Sequence, residues 1–230
     1  MSVHCGSTTI TPSRLIRFHE SYDRRRYAVL FYVLLVTLLL LPIAAATGMP
    51  TVLVKALVLA CLMAAVTPNA EGGKRLILFA AVVLLIAARA ASELGYLPLN
   101  PGLVLMIVGL AGLAAAAWTF RFAIAARKVT SETIYAALST YLLAGIFFGQ
   151  VYRSINTLVA GSVVGPTPLS DEAAVYYSFV TVATLGYGDF VPRTDLARGV
   201  ATFEVIGGQL FLAVLVARLI GAFGVQRRSP

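Results

Sequence analysis

The sequence predicts an all-α membrane protein with six transmembrane helices, a shorter re-entrant helix and an extended segment that contains two glycines. Three observations lead to this fold class. Of the 230 residues, 59% are hydrophobic and only 12% are charged, whereas soluble domains carry about 25% charged residues. The apolar residues fall into six runs. Between the last two runs lies an apolar segment too short to cross a bilayer, and a Gly-x-Gly sequence follows it.

The six runs define the predicted membrane helices, and all but the second have or approach the roughly 20 residues that a hydrocarbon core of about 30 Å requires. We divide the chain into an N-terminal segment (1–26), a four-helix module (27–130), a C-terminal module (131–223) and a short tail (224–230). Apolar residues next to arginines in the N-terminal segment are consistent with an interfacial helix, and a plain solvated tail is the alternative. The runs cover residues 27–46, 51–66, 76–91, 103–120, 134–152 and 199–223.

A cleaved signal peptide is the competing interpretation of the first run, since Ala44, Ala45 and Ala46 resemble a cleavage site. The polar segment before this run is too long for the n-region of a signal peptide, so we favour a membrane helix.

The formal net charge of +8 raises the question of a nucleic-acid partner. The basic residues lie mainly in the N-terminal segment and in short loops on one side of the predicted membrane. By the positive-inside rule, those loops and both termini are cytoplasmic, where they face anionic lipid headgroups. We therefore expect a multi-pass protein of the cell membrane and no nucleic-acid binding.

Residues for disulfide, metal or catalytic chemistry are few. Cys5 and Cys61 are the only cysteines, and they indicate no disulfide framework. His4 and His19 both precede the first apolar run, so no histidine can serve as a base for a nucleophile inside the membrane. We expect no enzymatic activity, no cofactor and no metal-ligand cluster.

The short apolar segment 171–183 predicts a re-entrant helix. Ser170 is a suitable N-cap, and Asp171 and Glu172 place negative charge on the first turn, where the helix dipole favours it. The negative end of this dipole would then face whatever lies beyond residue 183.

The five residues after this helix are Thr184, Leu185, Gly186, Tyr187 and Gly188. Glycine enters the positive-φ region at little cost, so alternate glycines allow successive carbonyls to face one side. The side chains of Leu185 and Tyr187 would then point away from these carbonyls and pack behind them.

Residues 181–189, Thr-Val-Ala-Thr-Leu-Gly-Tyr-Gly-Asp, closely resemble the selectivity filter of the potassium channel family. The resemblance extends to the order of outer helix, pore helix, filter and inner helix within residues 131–223. It implies that the backbone of the five filter residues coordinates K+, which would be the permeant ion. It also implies a homotetramer around a central pore, because such a filter is built from four loops and this chain has one.

The chain departs from the family pattern near the filter. Leu185 stands where valine is most frequent, and Val180 stands where some simple bacterial members have a buried acid. Thr181, Asp189 and the pair Tyr176 and Tyr177 take the positions of residues that support the filter, and either tyrosine could hydrogen-bond Asp189.

Two features of the last run suggest a role in gating or filter support. Gly208 lies where the family often has its gating hinge, and we expect the helix to bend at Gly207 and Gly208, although close helix packing would also explain two small residues. Glu204 is an acid well inside a membrane helix. We expect a fixed hydrogen bond to Ser178 or Thr181. The alternative is a carboxyl group that couples proton binding to filter opening.

The run 103–120 contains no lysine or arginine, although its place in a six-helix layout is that of the voltage-sensing helix. Gly109, Gly112 and Ala116 predict close helix packing there instead. The function expected is a potassium-selective channel without steep voltage gating. A poorly selective cation channel of the same architecture is the alternative, followed by a non-conducting membrane subunit.

Overall fold

The computed structural model describes residues 26–47, 87, 91, 100–126 and 129–226. The described part of the chain is mostly helical, and four of its helices are long and apolar enough to cross a membrane: α1, α2, α3 and α5. In chain order the elements are α1 (Arg26–Thr47), α2 (Pro101–Ala125), α3 (Ser131–Leu158), β1 (Val163–Val164), α4 (Asp171–Val182), β2 (Val191–Pro192) and α5 (Asp195–Gln226).

These four helices correspond to the first, fourth, fifth and sixth predicted runs. Of the runs 51–66 and 76–91, the structure describes only residues 87 and 91, so the second and third predicted helices lie outside the described residues. The N-terminal segment lies outside them as well.

The first predicted run agrees with α1 to within one residue at each end, whereas the other three helices extend two to six residues beyond the predicted runs. Polar residues cap the starts of α2 and α3 outside the apolar runs. α2 begins after Asn100, whose side chain accepts a hydrogen bond from the Gly102 amide at 2.9 Å. α3 begins with a capping box in which Thr130 and Thr133 bond each other's backbone amides. α2 also continues to Ala125 and thereby includes Arg121, an exposed side chain that the predicted end at residue 120 had excluded.

Small residues let α2 lie directly against α3, as the sequence predicted. A Cβ atom placed on Gly109 would lie 2.9 Å from the Val151 Cγ2 atom, and one on Gly112 would lie 2.1 Å from the Phe147 ring. Gly109, Gly112 and Ala116 are all buried. Glycine is therefore required at both contacts, since any larger residue would separate the two helices.

The short helix α4 packs against the middle of α3 in the same way. A Cβ atom on Gly145 would lie 2.5 Å from the Phe179 ring, and one on Gly149 would lie 2.7 Å from the Val175 Cα atom. Because Gly145 and Gly149 have no side chains, α4 lies in direct contact with α3. This contact fixes the position of the segment that follows α4.

The loops on either side of α4 are tied together. Val163 and Val164 in β1 pair antiparallel with Pro192 and Val191 in β2. The Arg193 amide donates a further hydrogen bond to the Ser162 carbonyl at 2.8 Å. This small ladder holds the chain that enters α4 beside the chain that leaves residues 184–188.

Helix α5 is the least covered of the four long helices. Only 17% of the most apolar 18-residue stretch of α5 is buried, whereas 56% of the corresponding stretch of α3 is buried. Phe203, Leu210 and Ile220 are each more than 60% exposed. So much apolar surface on one protomer requires lipid or another protein chain to cover it.

Candidate functional site

Helix α4 ends at the candidate site, and its termini are formed by local hydrogen bonds. The Ser170 side chain accepts a hydrogen bond from the Ala173 amide at 3.1 Å, which confirms the predicted N-cap. Asp171 also forms an ion pair with Arg153 of α3 at 3.1 Å. At the other end, α4 stops at Val182, and Ala183 is its C-cap.

The backbone after α4 alternates between two conformations. Thr184, Gly186 and Gly188 have positive φ angles of 57°, 60° and 77°. Among the described residues Thr184 is the only non-glycine residue in this region, which a β-branched side chain rarely enters. A positive φ at every second residue allows successive carbonyls to face one side of the segment.

Amides of this segment turn back onto the end of α4. The Thr184 amide donates to the Thr181 carbonyl at 2.9 Å, and the Leu185 amide donates to the Val180 carbonyl, also at 2.9 Å. The Gly186 amide reaches the same Val180 carbonyl at 3.4 Å. The conformation of residues 184–188 therefore depends on where the last turn of α4 lies.

The side chains of Leu185 and Tyr187 are 55% and 66% exposed. The packing that the sequence analysis expected behind these residues is not made within one protomer. The backbone of the segment is likewise open, because in the described part of the chain no atom beyond the adjacent residues lies within 4 Å of a Cβ atom placed on Gly186 or Gly188.

Tyr176 and Tyr177 have different environments. Interaction with the Asp189 carboxylate raises the pKa of the Tyr176 hydroxyl. Tyr177 is buried, and its ring packs edge-on against Tyr152 with a centroid distance of 4.7 Å. Tyr176 is therefore the tyrosine that interacts with Asp189, a choice that the sequence left open. The Asp189 carboxylate also accepts a bond from the Phe190 amide at 3.0 Å.

Glu204 is buried and fully paired. The Ser178 hydroxyl donates to one carboxylate oxygen at 2.5 Å, and the Tyr152 hydroxyl donates to the other at 2.6 Å. The predicted bond to Ser178 is thus confirmed. Thr181 is not a partner of Glu204, since its hydroxyl donates to the Tyr177 carbonyl at 2.8 Å.

Gly207 and Gly208 lie inside α5, whose helix runs unbroken through both. Among the described residues, apart from the adjacent turns of α5 itself, none lies within 4 Å of a Cβ atom placed on Gly207. Gly208, in contrast, lies against Val182 at the end of α4. The packing explanation therefore applies to Gly208, while a hinge at either glycine stays a prediction.

Two residues that form hydrogen bonds between helices, Tyr152 and Arg218, were not predicted from the sequence. No local pattern connects Tyr152 with Glu204, which is 52 positions away. Arg218 did carry a signal, because it is the only basic residue in the run 199–223. Its guanidinium donates hydrogen bonds to the carbonyls of Ala123 and Ala126, at the C-terminal end of α2.

Comparison with known proteins identifies this part of the chain. The ion channel family matches residues 136–224. An inward rectifier potassium channel, Kirbac3.1 of Paramagnetospirillum magnetotacticum, is 30% identical over 83 residues, which are 36% of this chain and 27% of that protein. Two-pore potassium channel 1 of Arabidopsis thaliana is 30% identical over 89 residues, which are 37% of this chain and 24% of that protein. Residues 136–224 thus match the ion channel family, and the relatives that they resemble are potassium channels.

The potassium channel resemblance predicted from residues 181–189 is thereby confirmed for the C-terminal part of the chain. By this resemblance, α3 takes the place of the outer helix, α4 that of the pore helix, residues 184–188 that of the candidate filter and α5 that of the inner helix, and we use these names below as labels. The match spans only about a quarter of each relative's own length. No solved structure matches the chain.

Proposed function

We propose that this chain is one subunit of a homotetrameric channel that conducts K+ passively and selectively across the cell membrane. The observation that carries the proposal is the alternation of positive φ angles at Thr184, Gly186 and Gly188, directly after a pore helix. With carbonyls turned to one axis, the backbone of residues 184–188 can replace the hydration shell of K+. Repulsion between neighbouring ions then lets each one leave.

The electrostatics of the pore helix support a cation. Asp171 and Glu172 lie in the first turn of α4, and no basic residue lies in its last turn. The negative end of the helix dipole is therefore uncompensated at the end next to the candidate filter. A cation that approaches this end is stabilised, and an anion is repelled.

The uncovered surfaces of the protomer support assembly. Leu185, Tyr187 and much of α5 are exposed. Three further copies around a central axis would cover the back of the candidate filter and one face of the inner helix. Such closed cyclic symmetry is the usual arrangement of identical subunits.

The remaining parts of the proposal concern the rest of the chain. We infer six membrane helices, with residues 51–66 and 76–91 as the second and third, and both termini in the cytoplasm. Basic loops would contact anionic lipid headgroups there. Arg121 is the only basic residue of α2, so this helix supplies no arginine ladder for steep voltage gating.

Flux measurements on the purified full chain in liposomes test the function. We expect K+ uptake that follows a K+ gradient and a reversal potential that shifts with K+ but not with Na+. A reversal potential equally sensitive to both ions would instead establish a poorly selective cation channel. Tetramers without any cation flux would indicate a non-conducting membrane subunit. Mass measurement in detergent determines the number of subunits.

A further inference from the structure

Three buried side chains meet behind the candidate filter, one from each helix of the C-terminal module. They are Tyr152 of α3, Ser178 of α4 and Glu204 of α5, and we call this group the Glu204 node. Their exposed fractions are 0%, 0% and 1%. Within the described ranges, Glu204 is the only charged residue that is buried.

Both carboxylate oxygens of Glu204 accept a hydrogen bond within the node. A carboxylate only accepts hydrogen bonds, and here each of its oxygens has one hydroxyl donor, at 2.5 Å from Ser178 and 2.6 Å from Tyr152. An acid inside a membrane helix is costly unless it is paired. Loss of either hydroxyl would leave one buried carboxylate oxygen without its donor.

The node adds a polar connection to an apolar contact. α3 approaches α4 through Gly145 and Gly149. Because glycine has no side chain, neither residue can form a side-chain hydrogen bond that would hold the pore helix in place. Tyr152 lies one turn beyond Gly149, and its ring contacts Tyr177 while its hydroxyl reaches Glu204. The Glu204 carboxylate of α5 is thus hydrogen-bonded to both α3 and α4, and it holds the two helices together at Ser178.

The position of α4 at this level determines the position of the candidate filter. Thr181 and Val180 lie within one turn of Ser178. Their carbonyls accept hydrogen bonds from the amides of Thr184 and Leu185, respectively. One turn after Glu204, Gly208 of α5 lies directly against Val182. A movement of α4 at Ser178 would therefore displace both acceptors and the start of the candidate filter.

We propose that the Glu204 node holds the pore helix in the position that conducts ions, and that Tyr152 is a positioning residue for conduction. The inference rests on the proposed function, because it assigns the node a role in the same pore. It links the inner helix, the pore helix and the outer helix through one carboxylate.

The test compares two conservative variants in purified full-length channels in liposomes: Tyr152→Phe and Ser178→Ala. Each removes hydrogen-bonding capacity with little change in volume. Tyr141→Phe is the matched control, because Tyr141 lies on the same helix and its ring contacts Phe211, while its hydroxyl is not a member of the node. K+ flux, the K+ to Na+ permeability ratio and the amount of tetramer are measured for each protein.

We expect Tyr152→Phe and Ser178→Ala each to lower K+ flux or the permeability ratio about tenfold, as for loss of one hydrogen bond to a charged group. Tyr141→Phe should leave both unchanged. The double variant Tyr152→Phe/Ser178→Ala should lose less than the product of the two single losses, because both hydroxyls act through one carboxylate.

Two results would overturn the inference. One is wild-type flux and selectivity in both single variants. The other is a flux that falls only in proportion to the amount of tetramer, with unchanged selectivity in the channels that remain, since the contacts would then serve assembly alone. The absence of K+ flux in the wild-type protein would instead contradict the proposed function itself.

Discussion

Gly208 of the inner helix lies directly against Val182, the last residue of the pore helix. A Cβ atom placed on Gly208 would lie 2.6 Å from the Val182 Cγ2 atom and 3.1 Å from the Val182 carbonyl oxygen. Val182 is 2% exposed, so it has little room to move away. The glycine that resembles a hinge in the sequence is thus also a packing residue beside the candidate filter.

This contact separates the two predicted explanations of the glycine pair. Gly208→Ala should displace the end of α4 and lower the K+ to Na+ permeability ratio as well as the flux. Gly207→Ala meets no other element among the described residues, so it changes mainly the stiffness of the helix. Replacement of glycine by alanine stabilises a helix by up to about 1 kcal/mol. If α5 bends here on opening, Gly207→Ala should lower open probability about fivefold with unchanged selectivity.

Single-channel recording in planar bilayers measures both quantities. Normal opening in Gly207→Ala channels would exclude a hinge at this residue. Unchanged selectivity in Gly208→Ala channels would show that Val182 adjusts without moving the candidate filter.

The sequence predicted the site well where the signals are local. Ser170 and Asp171 mark the start of the pore helix, and Gly186 and Gly188 take the positive φ angles that their alternation suggested. The contacts between helices were harder to predict, since they depend on which faces meet. The local sequence around Tyr152 gives no indication that its hydroxyl bonds a residue of α5.

Helix ends show the same limit. Hydrophobicity located α2 and α3, but their ends are set by capping at Asn100 and Thr130 and by polar residues that remain helical. An apolar run reports the part of a helix suited to lipid, which is shorter than the helix itself.

Arg218 connects the C-terminal part of α5 to the C-terminal end of α2. Its guanidinium bonds the carbonyls of Ala123 and Ala126, which have no helical partners of their own at a helix end. A cation at this end is worth up to about 2 kcal/mol where it is partly buried. Arg218→Gln should therefore lower the thermal unfolding midpoint of the protein in detergent.

Arg198→Gln is the matched control for this prediction. Arg198 lies on the same helix, is 59% exposed and pairs only loosely with Asp195 at 3.7 Å. Exposed pairs of this kind contribute little. Equal midpoints for the two variants would show that Arg218 does not stabilise the contact between α2 and α5.

The charge content of α2 predicts weak voltage dependence. Arg121 is exposed and lies near the cytoplasmic end in the proposed topology, where little of the membrane field would act on it. Each charge that crosses the full field contributes about 2.3 kcal/mol per 100 mV. Open probability should therefore rise only shallowly with voltage in bilayer recordings, and Arg121→Gln should leave the slope unchanged. Steep activation equivalent to several charges per subunit would contradict this prediction.

Conduction itself depends on the backbone at Gly186, whose φ angle is 60°. Alanine is strained in this region, so Gly186→Ala should turn the peptide units of the candidate filter and abolish K+ flux in tetramers that remain intact. Gly161 provides the matched control: it lies between α3 and β1, has a φ angle of 80° and, like Gly186, has no atom within 4 Å of a Cβ position. Gly161→Ala introduces comparable backbone strain outside the candidate filter and should conduct normally. Equal K+ flux in the two variants, each with its tetramers intact, would mean that residues 184–188 do not form the conduction path.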